Sequence, residues 1–377
     1  MKILIEFCRD LVYGKYRING HGRRPLYRYH MELRNLLKTS PVIPCTGKSR
    51  FIIFSDFHLG SGGRRDDFYH NSRNMMSILR DYYYPQGYHL ILNGDIEELQ
   101  KNKISSIERA WSELYGIFEL FQKDGRLSKI FGNHDISLLH RRGSRAANRT
   151  LHEGVVLRSK SGDVFVFHGH QASQYNGPLN STIGLVLKYL AHPLGIKNLV
   201  RDYGNMKIHK TEERVYHFSQ QSGIISCIGH THRPLFESLS DIDITMFNIE
   251  SLLRSYIKAP LPRKRKLEEE IAFYKAQLTK IANKDPISGS IRSIYNKDLI
   301  IPVIFNSGCV IGRKAMNGLE ISGTSISLVR WNSASQIEKY GFCDEPEKIV
   351  LAGRPFYRKT LKQDTLNYIF TRIRMLS

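Results

Sequence analysis

An α/β architecture follows from three features of the 377-residue sequence. Short apolar runs recur along the chain, helical spacing appears between them, and several of the runs end in a compact polar motif. Runs of four or five apolar residues are what strands buried on both faces require, and strands alternating with helices argue for layered α/β packing. Polar motifs just past strand ends occupy the place where open α/β sheets put their ligands.

The first such run is Phe51-Ile52-Ile53-Phe54. It ends in Ser55-Asp56-Phe57-His58-Leu59-Gly60 and a Ser61-Gly62-Gly63 loop. A helix is expected from about 71 to 83, then a strand over 89–92 ending in Asn93-Gly94-Asp95. Ser105 with Glu108 has capping-box spacing for a helix running to about 123. A third strand, 127–131, ends in Gly132-Asn133-His134-Asp135. Residues 155–157 and 164–167 make an expected hairpin across Ser161-Gly162, ending in His168-Gly169-His170. A strand over 224–228 ends in Gly229-His230-Thr231-His232, and closing strands are expected over 301–305, 323–328 and 328–331.

Two stretches interrupt this pattern. Residues 173–223 carry apolar helical spacing around Ile183 to Leu190, and residues 246–300 contain a charged helix over 263–284. The main domain is therefore read as 50–331, with 173–223 as a cap-like helical insertion and 246–300 as a charged one. A basic N-terminal extension, 1–49, precedes it, and a basic C-terminal extension, 332–377, follows. In the latter, Leu366, Ile369, Ile373 and Leu376 share one helical face. That face suits docking on the domain, with an anionic membrane as the alternative.

Composition narrows the function. The chain is 41% hydrophobic and 24% charged, and no apolar run is long enough to span a bilayer. The Met1-Lys2-Ile3-Leu4-Ile5-Glu6 start lacks a secretory pattern. Five dispersed cysteines without a C-x-x-C pair argue against a disulfide framework or zinc knuckle and for reduced thiols in the cytoplasm. A net charge of +21 concentrates anions near the protein: phosphorylated metabolites, nucleic acid, or the lipid head groups of an inner membrane face.

The motifs supply hard carboxylate oxygens from Asp56 and Asp95, an amide oxygen from Asn133, and imidazoles from His58, His168, His230 and His232. Asp56 and His58 are two apart, as are His230 and His232, so on an extended chain each pair leaves one face. Mixed oxygen and imidazole donors suit Mn, Fe, Zn or Ni better than Ca or Mg alone. Asp95 has two oxygens with which to bridge two ions.

In this order, Asp-x-His, Gly-Asp-x-x-Glu, Gly-Asn-His-Asp, His-Gly and Gly-His-x-His resemble the calcineurin-like metallophosphoesterase superfamily. Asn306-Ser307-Gly308 is similar to a late-strand motif of that superfamily. The resemblance implies a four-layer αββα sandwich of mixed sheets and two divalent metal ions, Mn first among the choices. Asp56, His58, Asp95 and His232 would hold one ion; Asp95, Asn133, His168 and His230 would hold the other. A hydroxide bridging ions about 3.5–4 Å apart would attack phosphorus. His134 would be the acid or transition-state donor, with Asp135 orienting its ring and Glu98 behind the ligands. His170, Arg64, Arg65 and Arg233 are left as substrate contacts.

His168-Gly169-His170-Gln171 and the insertion before Gly229 resemble bacterial relatives of UDP-2,3-diacylglucosamine pyrophosphatase. His134 stands where those enzymes usually carry arginine, so their substrate does not transfer directly. The expected activity is hydrolysis of a small or amphipathic phosphate ester or pyrophosphate. The alternatives are a nuclease, favoured by charge, then a protein phosphatase or a non-catalytic scaffold. Oligomeric state has no sequence signal.

Overall fold

Within strand β2 (Arg50–Phe54), Phe51 and Ile53 face one apolar cluster while Ile52 and Phe54 face another. That alternation sets the layers, because successive side chains of a strand point to opposite faces. The computed structural model describes residues 24–63, 65–141, 143–146, 151–173, 204–238, single positions between 245 and 257, 259–284, 301–313, 315–340 and 346–377. The insertion patch around Leu185 and the contact residue Arg64 lie outside the described residues.

Two mixed sheets carry the fold. In the larger, β3 (His89–Asn93), β4 (Leu127–Ile130) and the two-residue β5 (Leu151–His152) follow β2 in parallel. On its other side β10 (Met316–Ser322) and β11 (Ser325–Ser333) run antiparallel, followed by β13 (Arg354–Thr365) and β12 (Glu347–Leu351). The smaller sheet has the order β1 (Val42–Pro44), β6 (Gly154–Arg158), β7 (Asp163–Phe167), β8 (Ile225–Ile228) and β9 (Ile304–Asn306). The hairpin expected from sequence is the antiparallel β6–β7 pair.

Phe51, Ile53, Ile91, Ile130, Leu319 and Leu328 of the larger sheet join Val155, Phe165, Ile225 and Phe305 of the smaller in one buried cluster. The larger sheet's opposite face packs on α2 (Ser72–Ser77) with its π-helical continuation Ile78–Tyr83, on α3 (Ile104–Ala110) and on α4 (Ser112–Lys123). The smaller sheet is covered by α1 (Arg24–Thr39), through Leu33 and Leu36, and by α5 (Gly204–Ser222), through Val215 and Phe218. The layers are helix, sheet, sheet, helix.

Several sequence expectations change. Glu108 does not close a capping box, since helix α3 starts at Ile104 and its Glu108 accepts the N–H of Ala146 instead. Strand β10 went unread because its apolar pattern is broken by Glu320, which is buried against Tyr83 and Arg358. Gly323 is not a strand residue; at φ +62 it turns β10 into β11. Residues 24–44 and 347–376, read as parts of extensions, contribute helix, edge strands and core. Helix α8 (Leu366–Leu376) docks through Leu366, Ile369, Phe370 and Ile373. The charged segment forms the long helix α6 (Leu261–Lys284), followed by α7 (Ala334–Tyr340) beyond β11. No helix among the described residues is long and apolar enough to cross a membrane.

Candidate metal centre

The motifs meet at the carboxyl ends of β2, β3 and β4 in one sheet and of β7, β8 and β9 in the other. Main-chain hydrogen bonds continue past the ends of β2 and β3: Asp56 N–H to Gly94 O, His58 N–H to Asp95 O, and Leu59 N–H to Ile96 O. The chain is not extended at the motifs, which corrects the same-face argument. Eight non-glycine residues have left-handed φ among the described residues, and five of them are Asp56, His58, Asp95, His230 and His232. That conformation costs an L-residue roughly 1–2 kcal/mol, and such strain gathers at functional sites. Here it turns each side chain inward at a strand end.

Three groups of donors result among the described residues. Asp56, His58 and His232 form one, Asp95, His168 and His230 the second, and His58, Glu98 and His134 a third that shares His58 with the first, with ligand atoms in each group all within 4.8 Å of one another. His58 Nε2 lies 3.2 Å from His232 Nε2, and His232 Nε2 lies 3.2 Å from Asp56 Oδ1. His168 Nε2 lies 3.1 Å from Asp95 Oδ2. Asn133 belongs beside the second group, since its neighbour His134 donates its N–H to Asp95 Oδ1 at 2.8 Å.

Each carboxylate spends one oxygen on a backbone amide. Asp56 Oδ2 accepts from His230 N–H, and Asp95 Oδ1 accepts from His134 N–H. Asp56 Oδ1 and Asp95 Oδ2 take no backbone donor and face the imidazoles. His168 donates Nδ1–H to Asn93 O at 2.8 Å, which fixes the tautomer whose Nε2 lone pair points inward. Close approach requires glycine at two motif positions: a Cβ at Gly94 would strike the His168 ring, and one at Gly132 would strike Asp95.

Asp56 Oδ1, Asn133 Oδ1 and His168 Nε2 are buried at this place without a hydrogen bond, as is His170 Nδ1 beside them. The short His168–Asp95 and His232–Asp56 approaches set imidazole nitrogens directly against the inward carboxylate oxygens. Buried polar groups are normally satisfied, so orphans converging with carboxylates and imidazoles fit a divalent cation.

Burial opposes charge throughout, yet neighbouring imidazoles hold the Asp95 carboxyl well below its usual range and the Asp56 carboxyl below it. Burial lowers His168, but the Asp95 carboxylate overrides it and carries the ring up to about 9. His230 goes the other way: burial and the adjacent His168 push it down to about 4.

His134 is oriented by Glu98, not by Asp135. Its Nδ1 is 2.9 Å from Glu98 Oε1, and Glu98 Oε2 is 3.3 Å from His58 Nδ1. Asp135 instead accepts the N–H groups of Gly132 and Ile96, and burial with the nearby Glu97 carboxylate raises it to about 7. It shapes the loop rather than the ring. Burial works to lower His134, but Asp95 and Glu98 raise it above the ordinary value.

The remaining sequence-predicted contacts divide. His170 is buried with its Nδ1 unpartnered, and burial and His168 depress it well below the ordinary range. Arg65 sits exposed on the loop after the first motif. Arg233 is bound by the buried carboxylate of Glu212. Glu212, on α5, was missed because nothing in its helix marks it; Asn306 was noted, and its amide holds Gly229 O at 3.1 Å and Thr231 Oγ1 at 2.7 Å.

No family model matches the chain, and no curated protein matches its sequence. Among solved structures, it is similar to a single mutant of Vps29 from Entamoeba histolytica. The identity is 9% over 83% of this chain and 99% of that one, with a TM-score of 0.33. It is also similar to a conserved uncharacterized protein of Streptococcus pneumoniae TIGR4, described as a predicted phosphoesterase. There the identity is 12% over 75% of this chain and 88% of that one, with a TM-score of 0.29. Likeness at this level carries no weight for the chemistry, which rests on the side chains above.

Proposed function

We propose that this protein is a dinuclear-metal phosphoesterase, of the kind its motifs resemble. The observation that carries the reading is the pairing of two donor groups around orphaned, buried ligand atoms, with a raised histidine beside them. Asp56, His58 and His232 would hold one divalent ion and His168, His230 and Asn133 the other, with Asp95 shared between them. When bound, such a pair neutralises phosphoryl charge and makes water nucleophilic at neutral pH.

The chain's own residues do the rest. Glu98 accepts from His134 Nδ1 and, with Asp95, favours the protonated ring. Its Nε2–H is then the donor to the leaving oxygen, and Glu98 stabilises the imidazolium until the proton moves. Glu98 also touches His58, so ligand and proton donor share one anchor. The substrate we favour is a small or amphipathic phosphate ester or pyrophosphate, acted on in the cytoplasm, where Cys45, Cys227 and Cys309 stay thiols. Net charge of +21 supports a second reading, a nuclease.

Metal analysis with a substrate screen tests both. Two Mn ions per chain and turnover of p-nitrophenyl phosphate, with DNA and RNA left intact, support the first reading. Metal-dependent nucleic-acid cleavage that falls steeply with salt selects the second. A protein that binds no divalent metal refutes both.

A further inference from the structure

Thr231 stands between His230 and His232, which face different donor groups and both have strained left-handed backbone, φ 64 and φ 57. A turn of two strained residues keeps its shape only if something holds it. The Thr231 hydroxyl is held from both sides. It accepts from Asn306 Nδ2 at 2.7 Å and donates to Glu212 Oε1 at 2.8 Å. Glu212 Oε1 also accepts from Arg233 Nε at 3.4 Å, and Oε2 accepts from Arg233 Nη2. Glu212 is fully buried, so its carboxylate is committed to these partners rather than to water.

Two residues further along α5, Arg214 Nη1 donates to Ala172 O at 2.8 Å, closing the turn that follows His168 and His170. One helix therefore grips both histidine-bearing loops of the smaller sheet.

We propose that Glu212 is a positioning residue for the metal centre: through Thr231 and Arg233 it sets where His230 and His232 present their ring nitrogens. The proposal rests on the two-metal reading. Groups behind a ligand commonly change metal affinity or activity by about 10–100-fold. A buried acid whose only task is to neutralise Arg233 would not; its loss would lower the melting temperature and leave metal binding alone.

The experiment uses the full chain, titrated with Mn²⁺ and followed by calorimetry, metal analysis and thermal melting. Glu212→Ala and Thr231→Val should each weaken Mn²⁺ binding by about 10–100-fold. Glu212→Gln keeps an acceptor oxygen for Thr231 and should recover most of the affinity. The double variant E212A/T231V should bind no worse than the poorer single one, because both break the same link. Thr231→Val leaves the ion pair with Arg233 intact, so it decides the matter even if Glu212→Ala fails to fold. Unchanged Mn²⁺ affinity in Thr231→Val, with a lowered melting temperature in Glu212→Ala, overturns the proposal and leaves the two-metal reading standing. A wild type without Mn²⁺ uptake removes that reading, and this one with it.

Discussion

The loops of the larger sheet and those of the smaller reach the same point by different means. Those after β2 and β3 lie side by side, tied to each other by main-chain hydrogen bonds, and they bring the carboxylates. Those after β7 and β8 bring imidazoles. They share Gly229 N–H to His168 O and then depend on side chains from elsewhere: Glu212, Arg214 and Asn306. The first half is built into its sheet, while the second is propped. Damage to the first half should therefore need a change at the ligands themselves, whereas the second should loosen when a remote support is removed.

The severest break is Asp95→Asn. One oxygen of Asp95 holds His134 N–H and the other faces the donors, so the variant should lose at least one metal and nearly all turnover. Two ions retained with near-normal activity would take Asp95 out of the centre. His134→Ala should keep both metals and lose about 10²–10⁴ in kcat. Metal loss there would make His134 a ligand instead.

Glu98→Gln sharpens the same half through pH. Glu98 helps hold His134 above its ordinary value, and the donor must be protonated. Activity then falls as pH rises through the His134 pKa, and removing the carboxylate should move that alkaline limb to lower pH. A limb that stays in place, measured as kcat against pH, would show that Glu98 does not govern the ring.

In the propped half, Asn306→Ala strips hydrogen bonds from Gly229 O and Thr231 Oγ1, both buried, which should lower stability by about 1–3 kcal/mol. Chemical denaturation measures this, and Mn²⁺ affinity should fall with it.

The smallest effect lies beneath the carboxylate loops. Burial and then Arg126 lower His89 to about 4, so the fold favours its neutral ring. Its stabilising effect is complete above pH 6.5 and is lost as pH falls from there to about 4, because the unfolded chain takes up the proton first. His89→Gln should flatten the melting temperature over that window without touching metal content.

Legibility in the sequence followed the same division. The candidate ligands Asp56, Asp95 and His168 stood within three residues of the ends of apolar runs, where strand pattern and chemistry coincide. Strand β10 hid because Glu320 sits where an apolar residue was expected, and its compensation by Arg358 comes from 38 residues away. Glu98 was placed behind the ligands, but its hold on His134 was assigned to Asp135, the nearer residue in sequence. Neighbours in sequence were a poor guide there, because the turn after Gly132 points Asp135 back at amides. Glu212 could not be read at all: a single acid in a polar helix announces no partner.

The ladder that β2 and β3 continue beyond their last strand residues also fixes a time scale. Asp56, His58 and Leu59 donate their amides across it, and Glu98 N–H returns to Leu59 O. Loops ordinarily open by local fluctuation, while strand centres open only when the whole unit does. These four amides belong with the strands. In deuterated water they should exchange alongside Ile52 and Leu90, so the carboxylate side of the centre opens when its sheet unfolds and not before.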